Sequence, residues 1–115
     1  MSLDVDLFMD VDCGGDCTER IYLFESNITH NLGSMAKEAG IYYHLWRPEE
    51  IGAKQAKDIS ESVENGLALM KAEPDRFKEF NSPNGWGMYE HFIPWIEEYL
   101  EAMKRYPNAK ISVSR

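Results

Sequence analysis

Leu3, Val5, Leu7, Met9 and Val11 alternate with Asp4, Asp6, Phe8, Asp10 and Asp12. Side chains spaced by two share a face only on an extended chain, so this segment predicts a strand with one apolar and one acidic face. Gly14 and Gly15 mark a turn, and residues 20–25 read as a second strand. The two form a hairpin whose loop is expected to be longer than two residues. Near the other end, Ala109, Ile111 and Val113 alternate with Lys110, Ser112 and Ser114 after a break at Pro107-Asn108. This last strand is expected beside the first, where an outward Lys110 faces the outward aspartates.

Between these strands the spacing is helical. Ile28, Leu32, Met35, Ala36 and Ala39 define a first helix, with Asn27, Thr29 and Asn31 as alternative N-caps and Gly40-Ile41 as its stop. Residues 41–47 are rich in aromatics and have no period that decides their state. Pro48 fits the first position of a second helix, followed by Glu49 and Glu50 in the first turn. Its buried face is Ala56, Ile59, Val63, Leu67 and Met70, and Gly66 marks a close approach to another element. Pro74 restarts a short turn carrying Phe77 and Phe80. After the turn-rich residues 81–87, Tyr89, Phe92, Ile93, Ile96, Tyr99, Leu100 and Met103 set a last helix with Pro94 near its start. The order β-β-α-α-α-β predicts one α+β domain over residues 1–115. Its architecture is a small antiparallel sheet, the N-terminal hairpin plus the C-terminal strand, covered on one face by three or four helices.

Twenty acidic residues against twelve basic ones leave a net charge of −8, and no cluster of Lys and Arg interrupts it. A nucleic-acid partner is therefore not expected, whereas a basic protein partner fits the charge. No run of about 18 apolar residues is present, so no membrane partner is expected either. The first residues have neither the basic nor the apolar region of a signal peptide, and the chain is read as soluble and cytoplasmic. Cys13 and Cys17 flank three residues, which fits neither a Cys-x-x-Cys pair nor a complete zinc set. They are expected to be reduced, a disulfide across the glycine turn being the reading for an exported chain. Asp10, Asp12 and Gly15 match the opening of an EF-hand loop, but Gly14 stands where a third ligand belongs and Ile21 where the bidentate Glu belongs. The aspartates read as a solvated sheet face. No metal and no cofactor is expected.

The sequence has no Walker loop, nucleophile elbow, His-Glu-x-x-His or dinucleotide fingerprint, so catalysis is not the expected activity. The expected function is non-catalytic binding through a surface patch that includes Phe8, Trp46 and Arg47, residue types that anchor interfaces. The alternative is a small-ligand pocket, or a modest enzyme, at the junction in residues 25–31. Glu25, Asn27, His30 and Asn31 would form it, with His30 a general base oriented by Glu25 and with Trp86, Tyr89 and His91 completing the walls. Ordinary capping accounts equally well for the Asn and Thr content there.

The stretches Asn27-Ile28-Thr29-His30-Asn31-Leu32, Leu45-Trp46-Arg47-Pro48-Glu49-Glu50 and Asn84-Gly85-Trp86-Gly87-x-Tyr89 resemble segments of small uncharacterised proteins from phages and environmental bacteria. The resemblance covers nearly the whole chain after the first hairpin. It implies a phage or accessory-gene setting and brings with it no activity and no functional residues.

Overall fold

A computed structural model describes residues 2–115. Strands β1 (Ser2–Gly14) and β2 (Cys17–Thr29) form a long antiparallel hairpin, and β3 (Lys110–Ser114) pairs antiparallel with β1, giving the order β2-β1-β3. Helices α1 (Gly33–Glu38), α2 (Tyr42–Trp46), α3 (Ser60–Ala72), α4 (Pro74–Lys78) and α5 (Tyr89–Arg105) lie between β2 and β3 in the chain. The fold is thus the expected α+β arrangement, with the C-terminal strand beside the first. No helix among the described residues is long and apolar enough to cross a membrane.

The hairpin differs from its sequence reading in three ways. Its turn is tight: Gly14 pairs with Cys17, and Gly15-Asp16 alone connects the strands. Gly14 and Gly15 both have positive φ, 98° and 60°, a conformation that costs glycine little. Second, Cys13 and Cys17 form a disulfide across this turn instead of the expected reduced pair. Third, β2 runs on to Thr29, so Ile28 is a strand residue opposite Leu3 and not the start of a helix. Leu7 pairs with Phe24 and Phe8 with Tyr22, which leaves Leu23 as the extra residue of a β-bulge. The bulge resets the alternation of β2, so that Phe24, Ser26 and Ile28 face the helices together with Leu3, Val5 and Leu7.

β3 reaches only from Asp4 to Phe8 along β1. Beyond Phe8 the hairpin is a two-stranded arm in which every residue from 9 to 22 is exposed, and the molecule is correspondingly elongated, 55 × 27 × 23 Å. The free edge of β3 is covered by residues 54–56: Ile111 N–H donates to the Lys54 carbonyl at 3.0 Å, and Ala56 N–H to the Ala109 carbonyl at 2.9 Å. On the outer face Lys110 and Arg20 both reach Asp10, at 3.5 and 3.3 Å.

Helix ends follow the local chemistry. Gly40 takes φ 77°, and the amides of Gly40 and Ile41 return to the carbonyls of Lys37 and Ala36, closing α1 with a Schellman pattern. Residues 42–46, undecided from sequence, form the single-turn α2. The expected helix from Pro48 is instead interrupted: a 3₁₀ turn, Pro48–Ile51, ends at Gly52 with φ 73°, and α3 begins only at Ser60. Pro74 starts α4, which buries Phe77. Phe92, Trp95, Ile96, Tyr99, Leu100 and Met103 of α5 are all buried.

Gly66 sits against the end of α1. A Cβ at this position would lie 2.4 Å from Ile41 Cγ2 and 3.1 Å from the Ala39 carbonyl oxygen. Ile41 is buried and β-branched, so it has little room to move. Gly66→Ala should therefore lower stability by about 1–3 kcal/mol in urea unfolding, against the gain that Ala normally gives a helix interior. An unchanged or raised midpoint would show that α1 and α3 are not packed this closely.

Candidate functional site

An open cleft of about 1080 Å³ lies where β2 ends and the helical layer begins. One wall is formed by residues 27–32 and the other by residues 84–87, with His91 from the first turn of α5 at one end.

The first wall is ordered by capping. Thr29 Oγ1 accepts from the Asn31 amide at 3.3 Å and starts the 3₁₀ turn His30–Leu32, so Thr29 is the cap among the three candidates. His30 is fixed from below by the core. The Trp46 indole Nε1–H donates to His30 Nδ1 at 2.9 Å, and Trp46 itself is only 2% exposed. With Nδ1 held as an acceptor, the ring proton of neutral His30 belongs on Nε2. Asn27 has no side-chain hydrogen-bond partner among the described residues.

The second wall is a rigid loop. Gly85 N–H closes a turn on the Ser82 carbonyl, and Gly85 has φ 79°. Asn84 Oδ1 accepts both from Ser82 Oγ at 2.6 Å and from the Trp86 amide at 2.9 Å. The loop is joined to the first wall by Asn31 Nδ2, which donates to the Trp86 carbonyl at 2.8 Å. Gly87, with φ 109°, lets the two backbones approach: a Cβ there would lie 2.8 Å from Asn31 Cβ. The result holds the Trp86 side chain at the rim, 71% exposed.

Of the pocket residues expected from sequence, Asn27, His30, Asn31, Trp86 and His91 line this one cleft. Glu25 and Tyr89 do not. Glu25 lies on the outer sheet face opposite Asp6, so the expected Glu25–His30 pair is absent and Trp46 orients the ring instead. Burial, and then the charges of Glu25 and Asp4, hold the Asp6 carboxyl above its usual range. Tyr89 is structural: its amide donates to Asn81 Oδ1 and its hydroxyl to the Met70 carbonyl, both within 2.8 Å. Asn84 and Thr29 are lining residues that the sequence reading did not select, and the dense turn chemistry around Asn84 was the signal for it.

The expected partner patch does not form. Phe8 is on the outer face as read, but Arg20 covers its ring at 3.9 Å and Tyr22 flanks it, leaving it 6% exposed. Trp46 is inside the core. Arg47 is tied down by hydrogen bonds to the Tyr42 hydroxyl and Glu50. Among the described residues no three His, Cys, Asp or Glu side chains are placed to hold a metal ion.

The Trp46–His30 bond gives a direct test. His30→Ala leaves a buried indole N–H without a partner and should cost about 1–3 kcal/mol, whereas His30→Gln retains an acceptor and should recover part of that loss. Urea unfolding of the two variants measures the difference; equal stability of wild type and His30→Ala would mean the bond is not made in solution. In comparisons with known proteins, no family model, no curated protein and no solved structure matches this chain.

Proposed function

We propose that this protein is a non-catalytic binding protein that captures a neutral, polar small molecule in the cleft between residues 27–32 and 84–87. The observation that carries this reading is the composition of the walls. Asn27, Thr29, His30, Asn31, Asn84 and Trp86 converge there, and among the described residues no Asp, Glu, Lys or Arg side chain lines the cleft. In a chain that is 28% charged, an open groove whose described lining has no charged Asp, Glu, Lys or Arg side chain supports an uncharged ligand. Among the described residues no carboxylate side chain lines the cleft to activate His30, and the Thr29 hydroxyl is engaged as a cap by the Asn31 amide, so the arrangement favours capture over chemistry.

A screen of neutral and charged metabolites by NMR tests the reading. Neutral compounds should shift the side-chain amides of Asn27 and Asn84 and the ring of His91. Hits confined to charged compounds, or mapping away from these residues, would sink it.

The arm favours a second reading, a contact with a basic protein partner. Met9, Val11, Ile21 and Tyr22 are each between 42% and 50% exposed, amid Asp10, Asp12, Asp16 and Glu19 with Arg20 the one basic residue between positions 9 and 22. Apolar side chains set among acidic ones suit a partner that brings apolar and basic groups together, while a second copy would bring like charges together. Poly-lysine, as a probe of basic chains, should perturb the amides of residues 9–22 before others. The double variant Met9→Thr/Ile21→Thr should weaken that response and leave the melting curve unchanged. Shifts spread evenly over the acidic surface would overturn the arm as the contact.

A further inference from the structure

Resting on the cleft reading above, we propose that the ligand is a carbohydrate: a neutral pyranose stacked on Trp86, with its hydroxyl groups bonded to Asn27, His30 and Asn84. Three features of the cleft lead to this class.

The first is the set of hydrogen-bonding atoms left over once the walls have been built. Asn31 spends Nδ2 on the Trp86 carbonyl and keeps its Oδ1 acceptor. Asn84 spends Oδ1 on Ser82 and Trp86 and keeps its Nδ2 donor. His30 accepts at Nδ1 and keeps the Nε2–H donor. The cleft thus offers both donors and acceptors, and no Asp, Glu, Lys or Arg side chain lies among its described lining residues. A hydroxyl group both donates and accepts, so a ring bearing several hydroxyls can meet each of these atoms in turn. Among the described residues a phosphate or carboxylate would find no Lys or Arg in the lining, and an ammonium no carboxylate side chain.

The second feature is Trp86. Its indole takes part in none of the ring pairs that organise the core, and it stands on a loop held by Asn84 and Asn31. The aromatic face carries partial negative charge and attracts the weakly positive C–H groups that line one face of a pyranose. One exposed ring offers one stacking surface. A sugar needs only one, because its other edges are hydroxylated, whereas a planar base gains from a ring on each side.

The third is size. At about 1080 Å³ the open cleft exceeds what one sugar ring fills. A disaccharide or longer chain is therefore the better fit.

The test is a ¹H–¹⁵N NMR titration of the intact chain with neutral mono- to tetrasaccharides of the gluco-, galacto-, manno- and N-acetylglucosamine series, with adenosine and uridine run alongside. At least one saccharide is expected to shift the Trp86 indole N–H and the Asn27 amide at millimolar concentration, di- and trisaccharides more tightly than monosaccharides. Trp86→Ala, at an exposed position, should melt like the wild type and bind about tenfold more weakly, with Trp86→Phe intermediate. Adenosine or uridine shifting these groups while every saccharide is silent would overturn the pyranose and leave the cleft reading standing. Silence from every saccharide and nucleoside likewise overturns the pyranose, the wider metabolite screen then deciding the cleft. Saccharide binding that Trp86→Ala leaves unchanged would overturn the stacked pose.

Discussion

A chain of six aromatic rings holds this molecule together. Phe24 of β2 stacks on Tyr99 with centroids 5.6 Å apart, Tyr99 meets Trp95 at 5.5 Å, Trp95 meets Phe92 at 6.1 Å, Phe92 meets Trp46 at 6.4 Å, and Trp46 stacks on Tyr42 at 5.5 Å. The rings come from the edge strand, from one stripe of α5 and from α2, so the chain crosses the whole interface between sheet and helices. Such pairs contribute beyond their buried area, and their geometry is specific. The helices other than α3 and α5 are one or two turns long and would not persist alone in water. They are helices because this core, and the glycines and prolines that end them, leave the backbone few other arrangements.

The same chain of rings sets the cleft. Trp46 is its penultimate member, and the indole N–H that points away from the core is the donor that fixes His30. Arg115, the last residue, donates to the Trp46 carbonyl at 2.8 Å, so the strand that completes the sheet also secures the ring beneath the cleft. On the opposite wall the ordering is local, made from Asn84, Gly85 and Gly87, and is transferred to the first wall by a single amide contact from Asn31. The walls therefore have different sources of rigidity. One is inherited from the hydrophobic core, and the other is built from turn chemistry at the surface.

That division explains what could be read in the sequence. The alternation from Leu3 to Leu7, the strand at the end of the chain, the Gly40 stop and the apolar stripe of α5 are periodic or local signals, and the structure follows them. So are the residues of the cleft walls, because capping and turn residues gather at the strand-to-helix junction and before α5. What failed was long-range or depended on competition between neighbours. The bulge at Leu23 comes from matching two strands, and neither strand shows it alone. Gly52 breaks the expected second helix because its left-handed conformation ends the turn that Pro48 starts, ahead of the apolar set that begins at Ala56. Phe8 is hidden by an arginine twelve residues away, and Trp46 by a core whose other rings are up to 53 residues distant. The disulfide required knowing that the glycine turn is tight enough to bring Cys13 and Cys17 within 5.3 Å, Cα to Cα.

Trp86 brings the two kinds of constraint together. Leaving an indole in water forgoes the gain from burying 150–250 Å² of largely apolar surface, which at about 25 cal/mol per Å² is several kcal/mol. A flexible loop would recover part of that by folding the ring onto the nearest apolar wall. Here the loop is held away from such a collapse by its own turn, by the bond from Asn31 and by the absence of a Cβ at Gly87. The exposure is thus a consequence of rigidity and not of slack. A ring fixed in place before its ligand arrives has little conformational entropy left to lose on binding. Among the described residues, Trp86 is the exposed large apolar side chain that lines a cleft whose polar atoms are already oriented, which is why the physical case for binding centres there.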